Sequence, residues 1–296
     1  MSPSRNLALR IGVAVVAIPL ALGVLYLGGW PLTLMLAGLG TLGTRELFDL
    51  AARQGVRPLT VPGYLAAVGL PVLAYLGIAP SARGGICVSC PSLDPLLAPL
   101  AAIWILGVFG VALRVRTPSD RPLSAIAVTV LAPLYASGLL SFLYLLRYGP
   151  VAASTPMGGA WLAAVPLVIM WVCDTAAMAA GTLIGGPKLA PVISPNKTWS
   201  GAIAGTAAAV ATAIAAGALR LRGFVPPLTI SELVALGLVV ALAGQVGDVA
   251  ESLLKREAGL KDSSGLIPGH GGILDRLDSL YFAIPATALL YAILQL

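Results

Sequence analysis

Asp248, Glu251, Ser252 and Lys255 stand at i, i+3, i+4 and i+7. If the segment is helical, that spacing puts all four on one face. Two carboxylates so close repel each other, and a divalent cation removes the repulsion. Carboxylate oxygens suit Mg²⁺, which takes one or two of them and completes its shell with water and substrate phosphates. Asp275 and Asp278 repeat the i, i+3 spacing at the predicted start of the last helix, where the helix dipole also favours negative charge. Just before them runs Pro268-Gly269-His270-Gly271-Gly272. Glycines let backbone N–H groups turn toward an anion, and the helix start that follows adds donors. Lys255, Arg256, Lys261 and Arg276 supply cations that suit a polyphosphate. His270, the only histidine, lies in this polar loop, where contact with a phosphate and a structural role are both open. The chemistry this constellation could do is transfer of a phosphorus-containing group.

A second polar island precedes the first. Asp174 sits in Trp171-Val172-Cys173-Asp174-Thr175, inside an apolar run. An intramembrane carboxylate should face a cavity or a cation instead of lipid. Downstream, Ser194-Pro195-Asn196-Lys197-Thr198 reads as a cap and turn before a helix. Lys188 and Lys197 fall on the same predicted side of the membrane as the main window, and Lys188 doubles as an ordinary topology anchor.

The elements that must position these residues are hydrocarbon helices. Of 296 residues 58% are hydrophobic and 10% charged, and the mean hydropathy is +0.95, against about 25% charged residues in a soluble domain. Only 12 residues are Asp or Glu, and six of them fall within 247–279. The expected fold is an all-α polytopic membrane protein. Apolar runs long enough to span a bilayer as helices give about nine spans: 11–27, 31–48, 61–78, 96–113, 123–145, 160–183, 201–219, 233–249 and 277–296. Five fall in an N-terminal part, 1–160, and the rest in a catalytic part, 161–296. The first run is longer than a signal-peptide core and no A-x-A site ends it, so it reads as a retained helix.

With the N-terminus cytoplasmic, 14 of 18 Lys and Arg lie on the inside. The positive-inside bias therefore puts the N-terminus and the charged window in the cytoplasm and the C-terminus outside. It also accounts for the net charge of +6. No basic cluster with interleaved aromatics marks a nucleic-acid site. Arg45, Glu46 and Asp49 mark the end of the second helix, and Arg114, Arg116 and Arg121 act as topology determinants. Cys87 and Cys90 form a lone C-x-x-C, weak evidence for zinc; it reads as an outside loop where a disulfide is permitted. The many Gly and Ala residues permit close helix packing and a homodimer.

At these residues the chain resembles the phosphatidate cytidylyltransferase family. The signature runs Ser252, Lys255, Arg256, Lys261, Asp262, Pro268, His270, Gly271, Gly272, Asp275, Arg276 and Asp278, with every fixed position matched. The upstream Asp174-Thr175 and Ser194-to-Thr198 blocks also look like that family. Ser200 and Met178 depart from it, standing where Glu and Tyr are common. The resemblance implies an enzyme of the cell membrane, facing the cytoplasm, that converts CTP and phosphatidate to CDP-diacylglycerol and pyrophosphate. It implies Mg²⁺ held by Asp248 and Asp275, with Asp174 and Asp278 as further ligands, and a second cation, monovalent or divalent. Lys197, Lys255, Arg256 and Arg276 would neutralise phosphates. His270, Gly271 and Gly272 would shape the triphosphate pocket, and Ser194, Asn196, Thr198, Ser252 and Lys261 would bind substrate. A CTP-dependent polyprenol kinase would need similar parts but would release CDP. A transporter would place its acids at the midplane of paired broken helices, a pattern the sequence lacks.

Overall fold

The computed structural model describes residues 3–82, 94–149, 156–219, 228–266 and 271–296. His270, Pro268, Cys87 and Cys90 lie outside the described residues. The described residues are helical almost throughout: α1 (Pro3–Leu27), α2 (Gly29–Arg53), α3 (Thr60–Ala82), α4 (Asp94–Val115), α5 (Pro122–Pro133), the short α6 (Leu139–Ser141) and α7 (Leu143–Tyr148), α8 (Pro156–Leu183), α9 (Trp199–Ala218), α10 (Ile230–Glu257) and α11 (Leu274–Ile293). Among the described residues one hairpin, β1 (Lys188–Ala190) with β2 (Ser194–Thr198), interrupts the series. The protein is an all-α polytopic membrane protein. Among the described residues six helical stretches are long and apolar enough to cross a bilayer: Thr60–Gly77, Pro95–Val115, Pro122–Tyr148, Met157–Leu183, Trp199–Ala218 and Ile230–Glu257. A shorter apolar stretch is Val15–Leu27.

Two runs expected to span, α2 and α11, are less apolar than those six. In α11 the reason is local, because its first turns carry Asp275, Arg276 and Asp278. In α2 the reason is enclosure. Leu32, Thr33, Leu36, Ala37, Gly40, Gly43, Thr44, Glu46, Phe48 and Leu50 are all buried, and α2 packs on α3 and α5. A helix walled by protein along one face tolerates Gly, Thr and a charge that a lipid-facing helix excludes.

The chain divides into two compact units: Met1–Ser141 with Glu257–Arg276, and Phe142–Arg256 with Leu277–Leu296. In the first, a π-helical turn, Leu134–Gly138, follows α5. Its Ser137 Oγ donates to the Ala67 carbonyl of α3 at 2.5 Å. The Ser137 Cα would lie 2.9 Å from a Cβ built on Gly40, so only glycine lets α2 approach this turn. Leu59 N donates to Thr129 Oγ1 at 2.7 Å, tying the entry of α3 to α5.

In the second unit α8 and α9 run in close contact. The buried face of α9 is Gly201, Gly205, Ala209 and Ala213, an i, i+4 stripe of the smallest residues. A Cβ on Gly201 would stand 2.6 Å from the Ala177 carbonyl oxygen, and one on Gly205 would stand 2.9 Å from that of Cys173. Backbone therefore meets backbone, the mode that small residues permit between membrane helices. Helix α10 does the same at its lower end: a Cβ on Gly247 would stand 2.6 Å from the Asp278 carbonyl oxygen.

Candidate active site

The second unit holds a cavity of about 290 Å³ whose lining includes Asp174, Asn196, Lys197, Thr198, Gln245 and Asp248. Each wall follows from a local feature of the chain. Asp174 is presented by α8 beside the glycine stripe of α9. Asp248 follows Gly247 directly, and the missing side chain there lets α10 press onto α11 at Asp278. Lys197 comes from β2. The expected cap is present: Thr198 is the N-cap of α9 and accepts from Gly201 N at 3.2 Å. The expected turn is instead a strand. Lys188 pairs with Thr198 and Ala190 with Ser194 in antiparallel register, and Trp199 N donates to the Pro187 carbonyl at 3.0 Å. Pro195 and Asn196 are poor strand formers, so pairing with β1, not their own propensity, makes the segment extended.

Lys197 Nζ lies 2.6 Å from Asp248 Oδ2, with both side chains partly open to the cavity. Asp174, Asp248 and Asp278 are close enough to repel one another electrostatically, and Lys197 offsets part of that repulsion for Asp174 and Asp278. Asp278, inside α11, also accepts from the neighbouring Ser279 N at 2.7 Å. These oxygens are the hard donors that Mg²⁺ takes. Among the described residues no three His, Cys, Asp or Glu side chains converge as a closed cage. An ion using one or two carboxylates and completing its shell with substrate phosphates needs no such cage, so the donor set fits Mg²⁺.

Gln245 lines the same cavity and was not picked out by the sequence reading. Its Nε2 donates to Thr206 Oγ1 at 3.0 Å and to the Ala202 carbonyl at 3.3 Å, which fixes the amide's orientation against α9. Met178 and Ser200, the two departures from the family pattern, fall at this site as well. Met178 lines the cavity. Ser200 Oγ donates to the Gly185 carbonyl and lies 3.0 Å from Thr198 Oγ1, closing the turn that leads into the hairpin.

The cations expected from the signature separate by environment. Lys255 is buried and pairs with buried Glu251 at 3.0 Å, one helical turn away. Arg256 is exposed and its Nε donates to the Ile193 carbonyl at 3.1 Å, linking the end of α10 to the hairpin tip. Ser252 is buried in α10. Lys261 and Arg276 are exposed, as is Asn196, while Ser194 is half-buried.

In the first unit the signature forms a different cluster. Asp275 Oδ2 accepts from Ser263 N, Ser263 Oγ and Gly272 N, each at 2.8 Å. Gly271, at φ 76°, makes the left-handed turn before it. The sequence reading missed the partner. Glu46, only 3% exposed, accepts from Ser264 Oγ at 2.7 Å, Ser263 Oγ at 2.8 Å, and Ile273 N and Leu274 N at 2.9 Å each. A Cβ on Gly272 would collide with Ser263 Oγ and both Glu46 oxygens. The available signal was Glu46 itself, an acid close to an apolar run.

Comparison with known proteins bears on the whole arrangement. The sequence profile of the Cytidylyltransferase family matches residues 8–294. The phosphatidate cytidylyltransferase of Brucella suis biovar 1 is 50% identical over 123 residues, 42% of this chain and 43% of that protein. That alignment thus spans less than half the length of the Brucella relative. The phosphatidate cytidylyltransferase of Synechocystis is 29% identical over 93% of each chain. The chloroplastic phosphatidate cytidylyltransferase 5 of Arabidopsis thaliana is 31% identical over 93% of this chain and 68% of its own. With a profile match that touches every helix from α1 to α11, the chain belongs to the cytidylyltransferase family.

Proposed function

We propose that the protein is a phosphatidate cytidylyltransferase of the cell membrane, working at the cytoplasmic face. The observation that carries this reading is the cavity in which Asp174, Asp248 and Lys197 face one another within an otherwise apolar helical frame. Acids and a lysine so placed serve a charged reactant. The reaction joins a phosphate oxygen of phosphatidate to the α-phosphorus of CTP. The bond from that phosphorus to the oxygen bridging to the β-phosphate breaks, and pyrophosphate leaves with the electron pair. No covalent enzyme intermediate is needed, and Ser252, buried in α10, is given a hydrogen-bonding role.

Both reactants are anions, so positioning and charge neutralisation dominate the barrier. Mg²⁺, when bound, would neutralise charge on the phosphates and on the departing pyrophosphate. Asp174, Asp248 and Asp278 would hold it, and Asp275, three residues before Asp278 on α11, keeps its place in the expected ligand set. A second cation, monovalent or divalent, belongs to the same proposal. Lys197 would turn from Asp248 to a substrate phosphate once a cation takes its place. Arg256, Lys261 and Arg276 would meet phosphates from the exposed side, with His270, Gly271 and Gly272 shaping the triphosphate pocket. Lys255, paired to Glu251 at 3.0 Å, would neutralise phosphate charge from within α10. Phosphatidate would enter sideways, its acyl chains staying in lipid. A homodimer forms part of the proposal, since the chain's many Gly and Ala residues permit close helix packing; crosslinking in native membranes reads it.

The test uses purified protein in detergent–phosphatidate micelles with Mg²⁺ and α-labelled CTP. The expected result is label in the lipid phase with matching pyrophosphate, dependent on phosphatidate and on Mg²⁺. Label transferred only from γ-labelled CTP to a polyprenol would overturn this reading in favour of a kinase.

A further inference from the structure

Five arginines gather where two loops of the first unit meet. Arg53 ends α2 and Arg57 lies in the loop to α3; Arg114 sits in the last turn of α4, and Arg116 and Arg121 lie in the loop to α5. Two bonds tie the loops together. Arg116 Nη2 donates to the Arg57 carbonyl at 2.8 Å, and Arg121 Nη1 donates to the Gln54 carbonyl at 3.2 Å. Arg53, Arg57, Arg114 and Arg121 are exposed, and Arg116 is half-buried.

The neighbouring acids leave this charge standing. Asp120 lies in the field of Arg116 and Arg57, but its carboxylate is taken up by Thr117, accepting from the N–H and from Oγ1 at 2.8 Å each. Glu257 meets the first loop through its backbone, its carbonyl accepting from Gln54 Nε2. Asp49, one turn before Arg53, has Arg45 one turn behind it. Among the described residues no carboxylate comes within ion-pair distance of any of the five arginines.

Basic residues at the ends of spans follow from membrane topology, but topology asks only for charge. It does not ask that guanidinium groups be fastened to a neighbouring loop. Nor does it ask that Arg121 adopt φ 51°, a left-handed conformation that Gly and Asn favour. Here the backbone holds like charges together, and an anion from outside the chain would relieve their repulsion. Position indicates which anion. The apolar stretches Thr60–Gly77, Pro95–Val115 and Pro122–Tyr148 begin or end at this patch, which puts it at the level of lipid headgroups. Basic clusters beside membrane spans attract anionic lipid, and the guanidinium fork matches phosphate oxygens.

We infer that Arg53, Arg57, Arg114, Arg116 and Arg121 form a docking surface for the phosphate headgroups of anionic phospholipids, sharing no residue with the cavity described above. The inference does not depend on the cytidylyl-transfer reading, and either can fail without the other. Full-length protein is purified in a neutral detergent, stripped of lipid and titrated with phosphatidylglycerol or phosphatidylcholine, and native mass spectrometry gives the Kd for each. Phosphatidylglycerol is the probe because it is anionic and is not the proposed substrate. The variant is Arg53→Gln/Arg57→Gln/Arg114→Gln. Among the described residues these three side chains bond to no neighbour, so Arg116 and Arg121 still tie the loops.

Wild type should bind phosphatidylglycerol more tightly than phosphatidylcholine. In the triple variant the Kd for phosphatidylglycerol should rise roughly tenfold or more, because each basic residue near an anionic surface multiplies the attraction. The Kd for phosphatidylcholine should stay within about twofold. Raising the ionic strength should weaken phosphatidylglycerol binding to wild type in the same direction. Wild type that binds the two lipids equally, or a folded triple variant with the wild-type Kd, would overturn the inference and leave the arginines as topology determinants alone. Displacement of phosphatidylglycerol by CTP would assign the patch to the nucleotide and overturn it too. If the triple variant does not fold, Arg57→Gln decides: its Kd for phosphatidylglycerol should rise about two- to fivefold, and an unchanged value would overturn the docking surface.

Discussion

Each unit holds acidic side chains in an apolar frame, but the two sets are wired in opposite ways. Glu46 and Asp275 accept hydrogen bonds from serine hydroxyls and backbone N–H groups, with the one Ser263 hydroxyl within reach of both. Asp174, Asp248 and Asp278 instead repel one another across space beside a cavity, with Lys197 as a cation among them. Neutral donors that surround a carboxylate stabilise its charge where it is and fix the donors in return. Carboxylates set against each other keep an unbalanced field that a cation or a substrate can discharge. Residue type alone therefore does not separate the two sets; the groups around each carboxylate do.

That contrast can be broken or sharpened by substitution. The largest effect is expected from Asp248→Asn, which keeps the shape and removes the charge. Label transfer from α-labelled CTP should fall by roughly 10²–10³-fold or more in a protein that still elutes as folded. Near-normal turnover would remove Asp248 from the machinery. Lys197→Met should follow, with turnover down on the order of a hundredfold and partial recovery in Lys197→Arg, because a cation without the same reach restores only part of the neutralisation. Equal loss in both variants would mean that geometry rather than charge is what Lys197 supplies.

The saturated cluster should respond through stability first. Gly272→Ala forces a methyl group into the space of Ser263 and Glu46, and overpacking of that kind costs about 1–3 kcal/mol. A shift in the thermal unfolding midpoint reads it, and an unshifted midpoint would show the cluster to be loose. The smallest effect is expected from Thr198→Ala. It removes the cap on α9 for about 1 kcal/mol. Turnover should drop less than for Lys197→Met, because Lys197 keeps its place in β2.

Much of this was legible before the structure. Apolar runs located the helices, and charge spacing picked out Asp174, Lys197 and Asp248, which the fold does bring to one cavity. The reason is that in a membrane protein polar residues are few and costly, so those present carry information. Three features were not legible. The β1–β2 hairpin depends on pairing between segments whose own propensities do not favour strand. The π-helical turn at Leu134–Gly138 has no periodic signature. Glu46 was read as the end of a helix, because its partners lie more than 200 positions away and no local pattern announces a contact at that distance. His270 was singled out by sequence and lies outside the described residues, so its part rests on the signature alone.

The glycine stripe on α9 has a bearing on how the protein meets different membranes. Where side chains separate two helices, the gap between them can widen or narrow as rotamers change. Where carbonyl oxygens meet glycine directly, as at Gly201 and Gly205, the gap is set by atomic radii. A thicker or thinner bilayer would then tilt α8 and α9 together, leaving the distance between Asp174 and the hairpin unaltered. In short-chain and long-chain lipid the affinity for CTP should accordingly be the same, while delivery of the lipid substrate varies; an affinity that tracked bilayer thickness would show the joint to be soft.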